Sequence, residues 1–318
     1  MTTKVLVIGG GQNVEHEVSL ASAAAVAAAL RMSDHVVTCV TIDRDGIWRT
    51  DGGPSAATPA ESIARALPLL ADADVVFPAV HGALGEDGAL AALCALAGVR
   101  VVGSGLRAGA IGMDKWATKL VADAVGLRTA KGRVVAADEI GDVEFDSPVV
   151  VKPVSSGSSH GVALVRTEAD LLPALRAAAR LDQRILVEEV VRGREIDVAV
   201  LRESGGIRWA APPLEIHTAG PFDTATKYDG TARFTVPAAL SSDEQAGLRR
   251  SALAMFDALG CAGLARMDFF LTADGPVLNE VNTMPGLTAA SQAPRMFAAA
   301  GVSYPDLIAR MVRGAGRG

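Results

Sequence analysis

The stretch Asn279-Glu-Val-Asn-Thr-Met-Pro-Gly286 sets Glu280 and Asn282 two residues apart in an apolar run, then turns through Pro285-Gly286. Alternate side chains of an extended strand share a face, so Val281 points into a core while Glu280 and Asn282 project together. Two oxygen-bearing side chains on one strand face suit a hard cation, Mg²⁺ more than zinc; a solvated edge strand is the competing reading. Just upstream, Arg266-Met-Asp268-Phe-Phe-Leu271 puts Arg266 and Asp268 on one face of a second strand. The turn Thr272-Ala-Asp-Gly275 between the two predicts an antiparallel pair. Four polar side chains then crowd one sheet face, which is costly unless a metal and a charged ligand satisfy them. On this reading Asp268, Glu280 and Asn282 hold Mg²⁺, and Arg266 stays free for a substrate.

Working outward, the block before this pair carries a hairpin signal, Val198–Glu203 and Ile207–Ala210 around Ser-Gly-Gly, then a polar segment, 215–235. Ser241 and Glu244 form a capping-box pattern for a helix that stops at Gly260. Helical segments near 289–300 and 304–313 close the chain. Further upstream, Asp114 caps a helix from Lys115 to about Val125, and Val149–Lys152 and Arg184–Val190 read as strands. The opening third alternates apolar runs at Val5–Ile8, Val36–Ile42, Val75–Val80 and Arg100–Val102 with helical segments near 17–31, 60–70 and 87–97. That is the pattern of βαβ units and a parallel sheet.

Length and composition agree with several packed units. The chain has 318 residues, 50% hydrophobic and 21% charged, a globular balance. A net charge of −6 with no Lys/Arg-dense run argues against a nucleic-acid partner. The Ala-rich stretch 21–30 is too short to span a bilayer. Cys39, Cys94 and Cys261 are too scattered for a disulfide framework or a zinc site, and no signal-peptide pattern precedes the first strand. A soluble cytoplasmic protein is expected.

Three further polar constellations stand out. Gly9-Gly-Gly-Gln-Asn-Val-Glu15-His-Glu-Val-Ser19 follows the first strand, where backbone amides can cradle an anion or admit a substrate. Its glycine spacing is not the dinucleotide fingerprint, which ranks an oxidoreductase low. Lys152 ends an apolar strand and needs an anionic partner; the Ser/Gly loop after it, through Ser158, Ser159 and His160, suits a lid over phosphates or is a plain surface loop. Leu186-Val-Glu188-Glu-Val-Val-Arg-Gly-Arg-Glu195 could present carboxylates to a ribose, although charged linkers look the same.

The order of these motifs resembles the ATP-grasp ligases, and within them the D-alanine–D-alanine ligases, over nearly the whole chain. The resemblance is carried by Gly10-Gly11 through Glu15-His-Glu-Val-Ser-Leu20, His81-Gly-Ala-Leu-Gly-Glu-Asp-Gly88, Gly103-Ser-Gly105 with Met113-Asp-Lys115, the Lys152 loop, Glu188–Glu195, Lys227-Tyr228 and the Arg266-to-Gly286 ending. It implies three α/β domains: an N-terminal, Rossmann-like substrate-binding domain (1–103), a central lid domain (104–187) and a C-terminal catalytic domain (188–318), with ATP between the last two. Lys115, Lys152 and Lys227 would meet the ATP phosphates under the Ser158–Ser159 loop. Glu188, Glu189, Val191 and Glu195 would form the adenine and ribose pocket, and Asp268, Glu280 and Asn282 would hold two Mg²⁺ ions, with Mn²⁺ as a substitute. Glu15 would take the first D-alanine's ammonium, Ser291 the second's carboxylate, and His81 would lie near the transferred group. Tyr228 would link the loop over the site to Glu15 and Ser158, and Arg266 with the Gly286 amide would face the tetrahedral oxyanion.

The implied activity is ATP-dependent formation of D-alanyl-D-alanine through an acyl phosphate, for peptidoglycan synthesis. The alternatives are another ATP-grasp carboxylate–amine ligase, for example in antibiotic biosynthesis, and a non-catalytic nucleotide-binding regulator. Asn13 stands where the family often has serine, and segment 221–228 carries fewer aromatics than usual. A homodimer is expected, with the amphipathic C-terminal helix around Met311 as a candidate surface.

Overall fold

The structure is a computed structural model that describes residues 2–33, 35–50, 56–217 and 233–317. Lys227, Tyr228 and most of the polar segment 215–235 lie outside the described residues. Within them the chain folds into three sheets flanked by helices.

The first sheet runs Gly316–Arg317, Arg100–Val101, Val75–Pro78, Thr3–Gly10, His35–Ile42, Trp48–Thr50. Its four inner strands are parallel. Thr3–Gly10 is apolar without alternation because both of its faces are covered. Val5 and Val7 enter one core with Val26 and Leu30, whereas Leu6 and Ile8 enter another with Leu70, Leu90 and Cys94. The expected helices are present as His16–Arg31, Pro59–Asp72 and Ala89–Leu96.

The second sheet is antiparallel, in the order Gly132–Ala136, Arg184–Glu189, Val149–Pro153, Ala163–Val165. Helix Glu168–Ala179 buries Leu171, Leu175 and Ala178 against it. The third sheet runs Arg233–Thr235, Leu214–His217, Arg194–Arg202, Leu264–Thr272, Gly275–Asn282, Arg128–Thr129, with Arg208–Ala210 beside Arg194–Arg202. Helix Ser242–Leu259 lies on this sheet, with both capping-box bonds made and Gly260 ending it in the left-handed region at φ 70°. Helices Leu106–Met113 and Lys115–Ala124 also join this third core, through Ala108 and Ala122. The span 104–187 is thus shared between two sheets.

The chain closes on its own beginning. Met296, Phe297, Leu307, Ile308 and Met311 pack with Val5, Val7 and Val26, and Gly316–Arg317 adds an antiparallel edge to Arg100–Val101. Met311 is fully buried. The apolar stripe of helix Tyr304–Arg313 therefore belongs to the core and is not the dimer surface that its pattern suggested.

Candidate active site

Strands Leu264–Thr272 and Gly275–Asn282 pair antiparallel, with Arg266 opposite Asn282 and Asp268 opposite Glu280. The intervening pair, Met267 and Val281, is buried on the other face. A bulge after Asp268 moves the register so that Phe269 meets Leu278, leaving Asn279 as the extra residue. Its Oδ1 accepts from Lys152 Nζ of the second sheet at 3.3 Å. The four polar side chains anticipated on one sheet face are neighbours.

Arg266 is not free, as the sequence had suggested. Its Nε and Nη2 donate to the two oxygens of Asp268 at 2.6 and 2.7 Å, its Nη1 donates to Gln292 Oε1 at 2.8 Å, and Asp197 Oδ2 lies 3.4 Å from Nε. Burial alone would favour a neutral guanidinium, but the charges of Asp268 and Asp197 outweigh it and raise the pKa, so the cation is locked in. A planar fork gripped on three sides cannot swing, which aims its remaining N–H bonds.

Asp268 also accepts from Asn282 Nδ2 at 3.0 Å. Three of its roughly four lone-pair directions are thus used, and one remains on Oδ1. The Nδ2 contact turns Asn282 Oδ1 away from Asp268. Two carboxylates and an amide make an all-oxygen donor set, which fits a hard divalent cation and not zinc. Among the described residues no group of three His, Cys, Asp or Glu side chains is placed to hold a metal. Asp268, Glu280 and Asn282 fit a magnesium-type ion provided Asp268 shares its oxygens with Arg266.

Facing this sheet across a cavity of about 450 Å³ is the loop that starts the first helix. Glu15 is the N-cap residue of helix His16–Arg31, and its Oε1 accepts from Ser158 Oγ of the Ser/Gly loop. The approach is close. A Cβ on Gly82 or Gly157 would sit 2.6 or 2.5 Å from Glu15 Oε2, so a side chain at either position would displace the Glu15 carboxylate. Ser158 and Ser159 adopt φ of 49° and 56°, a left-handed conformation uncommon for serine that curls the loop onto Glu15. Asn13 does not cap the helix by itself. Its Oδ1 accepts from Glu15 N–H, and its Nδ2 donates to the carbonyls of His81 and Ala83.

His81 is buried, and both of its ring nitrogens are engaged. Nδ1 lies 2.8 Å from the Met284 carbonyl, which can only accept, so Nδ1 carries the proton. Nε2 then accepts from Ser22 Oγ at 2.8 Å, while Ser22 Oγ accepts from Leu287 N–H at 3.2 Å. Burial lowers the His81 pKa and keeps the ring neutral, as this chain of bonds requires. Nearby, Glu86 accepts from Gly82 N–H and Met284 N–H at 3.0 and 3.1 Å. Burial, and after it the charge of Glu15, pushes its pKa up to about 7. The Met284–Leu287 loop, which carries Gly286, is therefore pinned at both ends to residues beside the first sheet: His81 and Glu86 at one, Ser22 at the other.

Ser291 and Gly286 line the same cavity, and Ser291 Oγ accepts from Thr288 N–H at 3.1 Å. A smaller cavity of about 30 Å³ joins Glu15, Lys115, Ser158, Glu280 and Asn282. Lys115 is buried, with its Nζ on the Ser156 carbonyl. Lys152, which needed an anionic partner, finds Glu188. Glu188 is also 2.8 Å from Lys119 Nζ. Burial would raise its pKa, but Lys152 and Lys119 together outweigh that and hold it below the usual carboxylate range. Glu188 is thus an internal ion-pair centre, 5% exposed, while Glu189 is exposed and accepts from Lys131 N–H. Val191 and Glu195 are half-buried where the second sheet passes to the third. None of these four lines either cavity. His16 is buried, with its Nδ1 2.8 Å from the Gly11 carbonyl.

Sequence reasoning passed over Glu86, Lys119, Asp197, Asn279, Ser22 and Gln292. Glu86 sat inside a quoted motif, His81–Gly88, and its place between two glycines' neighbours was the available signal. The others become meaningful only through partners 26 or more residues away, or through the bulge.

Three sheets with a cavity walled by the first and third, and a Ser/Gly loop closing onto Glu15, make the fold that of an ATP-grasp protein. Two solved structures share it over nearly the whole chain. The VanG D-Ala:D-Ser ligase from Enterococcus faecalis has a TM-score of 0.83 at 29% identity, covering 98% of this chain and 99% of that one. The D-alanine-D-alanine ligase from Coxiella burnetii has a TM-score of 0.81 at 29% identity, covering 98% and 93%.

Family models for the D-ala D-ala ligase N-terminus and C-terminus match residues 4–104 and 128–313. Proteins named D-alanine--D-alanine ligase in Mycobacterium sp. (strain KMS) and Mycolicibacterium smegmatis are 41% and 40% identical, over 98% of this chain and 95% and 94% of theirs. The chain belongs to the D-alanine–D-alanine ligase family.

Proposed function

We propose that the protein joins two D-alanines into D-alanyl-D-alanine at the expense of ATP, for peptidoglycan synthesis. One observation carries the reading. The Arg266–Asp268–Glu280–Asn282 face and the Glu15–Ser158 pair meet across a single cavity that also holds Gly286 and Ser291.

In this reading Glu15 holds the first substrate's ammonium and so directs its carboxylate toward the sheet face. A carboxylate oxygen attacks the γ-phosphorus, the bond to ADP breaks, and an acyl phosphate forms. Both reactants are anions, and Lys115 and Lys152 offset their repulsion. Asp268, Glu280 and Asn282 would hold Mg²⁺, which would supply further positive charge against that repulsion. The second amino acid's neutral amine then attacks the acyl carbon. The oxyanion that develops faces Arg266 and the Gly286 amide, and its collapse expels phosphate. Arg266 is already fixed by Asp268, Asp197 and Gln292, so it needs no reorganisation at that moment. Ser291 holds the second carboxylate. The Ser158–Ser159 loop keeps water from the acyl phosphate. Glu189, Val191 and Glu195 meet the nucleoside. Two ions, a homodimer and a cytoplasmic location are further parts of this proposal.

Incubation with ATP, Mg²⁺ and D-alanine, followed by mass analysis, tests the reading. The dipeptide with stoichiometric ADP is the expected result. ATP binding without turnover on any D-amino acid would instead favour the regulator.

A further inference from the structure

Three acids stand in register across the third sheet. Asp197 of strand Arg194–Arg202 lies opposite Asp268, and Asp268 lies opposite Glu280. They share the polar face, since Ile196 and Val198, on either side of Asp197, enter the core behind it. Like charges on neighbouring strands destabilise a sheet, and the Asp197 side chain is only 2% exposed, so its charge needs a reason. A hard cation accounts for Asp268 and Glu280 but not for Asp197, which lines neither cavity. What Asp197 does face is Arg266. Asp268 has two demands on it: both of its oxygens hold Arg266, and a metal would need one of them as well. A divalent ion on that carboxylate repels the guanidinium beside it and weakens its bonds. Asp197 Oδ2 lies 3.4 Å from the same Nε that donates to Asp268 Oδ1. A movement of about 0.5 Å would bring Nε to an ordinary hydrogen-bond length from it, about 2.9 Å. Ala199, opposite Arg266 on this face, has no side chain beyond Cβ to obstruct that movement.

We propose that Asp197 is a positioning residue whose charge holds the Arg266 guanidinium in place when Asp268 gives an oxygen to the metal, so that one aspartate can serve both cations. Without that charge Arg266 leans wholly on Asp268 and competes with the ion for it. The inference rests on the ligase reading.

The test uses Asp197→Asn, which keeps the shape and removes the charge, and Asp197→Glu, which keeps the charge and adds a methylene to a packed site. Mn²⁺ binding in the presence of ADP, followed by the electron paramagnetic resonance of the free ion, needs no turnover. Dipeptide formation at saturating Mg²⁺ gives kcat and the KM values for ATP and D-alanine. For Asp197→Asn, Mn²⁺ binding is expected to weaken about tenfold, and kcat to fall about tenfold with both KM values moving less than about threefold. Asp197→Glu is expected to lie closer to wild type than Asp197→Asn on both measurements. A residue that merely fills space would give the reverse order, because the longer side chain packs worse there. A folded Asp197→Asn that binds Mn²⁺ as tightly as wild type, or a folded Asp197→Glu no better than Asp197→Asn, overturns the inference and leaves the ligase reading standing. If Asp197→Glu does not fold, the Mn²⁺ affinity of Asp197→Asn decides alone. Wild-type enzyme that forms no dipeptide from D-alanine overturns both.

Discussion

Ser22 accepts from Leu287 N–H and donates to His81, whose other nitrogen donates to the Met284 carbonyl. One hydroxyl thus fixes both ends of the loop that presents the Gly286 amide, although Ser22 itself is absent from the residues lining the cavity. Gly286 is aimed by this clamp and not by its own conformation. Ser22→Ala removes two hydrogen bonds without adding bulk, so the fold should hold and the loop should loosen. We expect kcat to drop about tenfold, equivalent to ~1.4 kcal/mol of transition-state stabilisation, with KM for D-alanine moving less than threefold. Steady-state kinetics decide it; a rise in KM at constant kcat would assign Ser22 to binding instead. His81 was legible in the sequence as a site residue because of its glycine-rich setting, and it does line the cavity. Its engagement was not legible, since Met284 lies 203 positions away. Arg266 misled for a similar reason. Strand alternation placed it beside Asp268, but only the folded sheet shows the two already paired.

At the scale of elements, the strands and helices were largely readable because buried parallel strands and capped helices leave local patterns. The capping box at Ser241 and the Asp114 cap, which accepts from Ala117 N–H at 2.8 Å, are local chemistry and appear where expected. The bulge at Asn279 left no such mark. It depends on which residues of a partner strand need burial, and it is what lets Lys152 of the second sheet reach the third. The short strands Arg128–Thr129 and Ala163–Val165 also escaped, having too few residues for a period to show. The second sheet offers its own test. Glu188 is a buried anion between Lys119 and Lys152, which face each other across it. Glu188→Ala leaves two buried cations without a counter-charge and should destabilise the fold by about 3–5 kcal/mol. Chemical denaturation of wild type and variant measures this; a loss below ~1 kcal/mol would mean that solvent or a neighbour already compensates the lysines.

The whole molecule is held together by a return of the chain. Its last two helices complete the core of the first sheet, so the cavity between the first and third sheets is walled by elements that cannot drift apart without opening that core. The sequence showed the helices' amphipathicity but not which apolar surface they cover, and a dimer contact fitted the pattern equally well. No helix among the described residues is long and apolar enough to cross a membrane. Holding Glu15 opposite the Arg266 face makes sense if a carboxylate fixed at one wall is to be activated at the other. That claim is tested most directly with D-alanine carrying ¹⁸O in both carboxyl oxygens, ATP and Mg²⁺. The account predicts one labelled oxygen in the inorganic phosphate for every dipeptide formed. Dipeptide accompanied by unlabelled phosphate would contradict it.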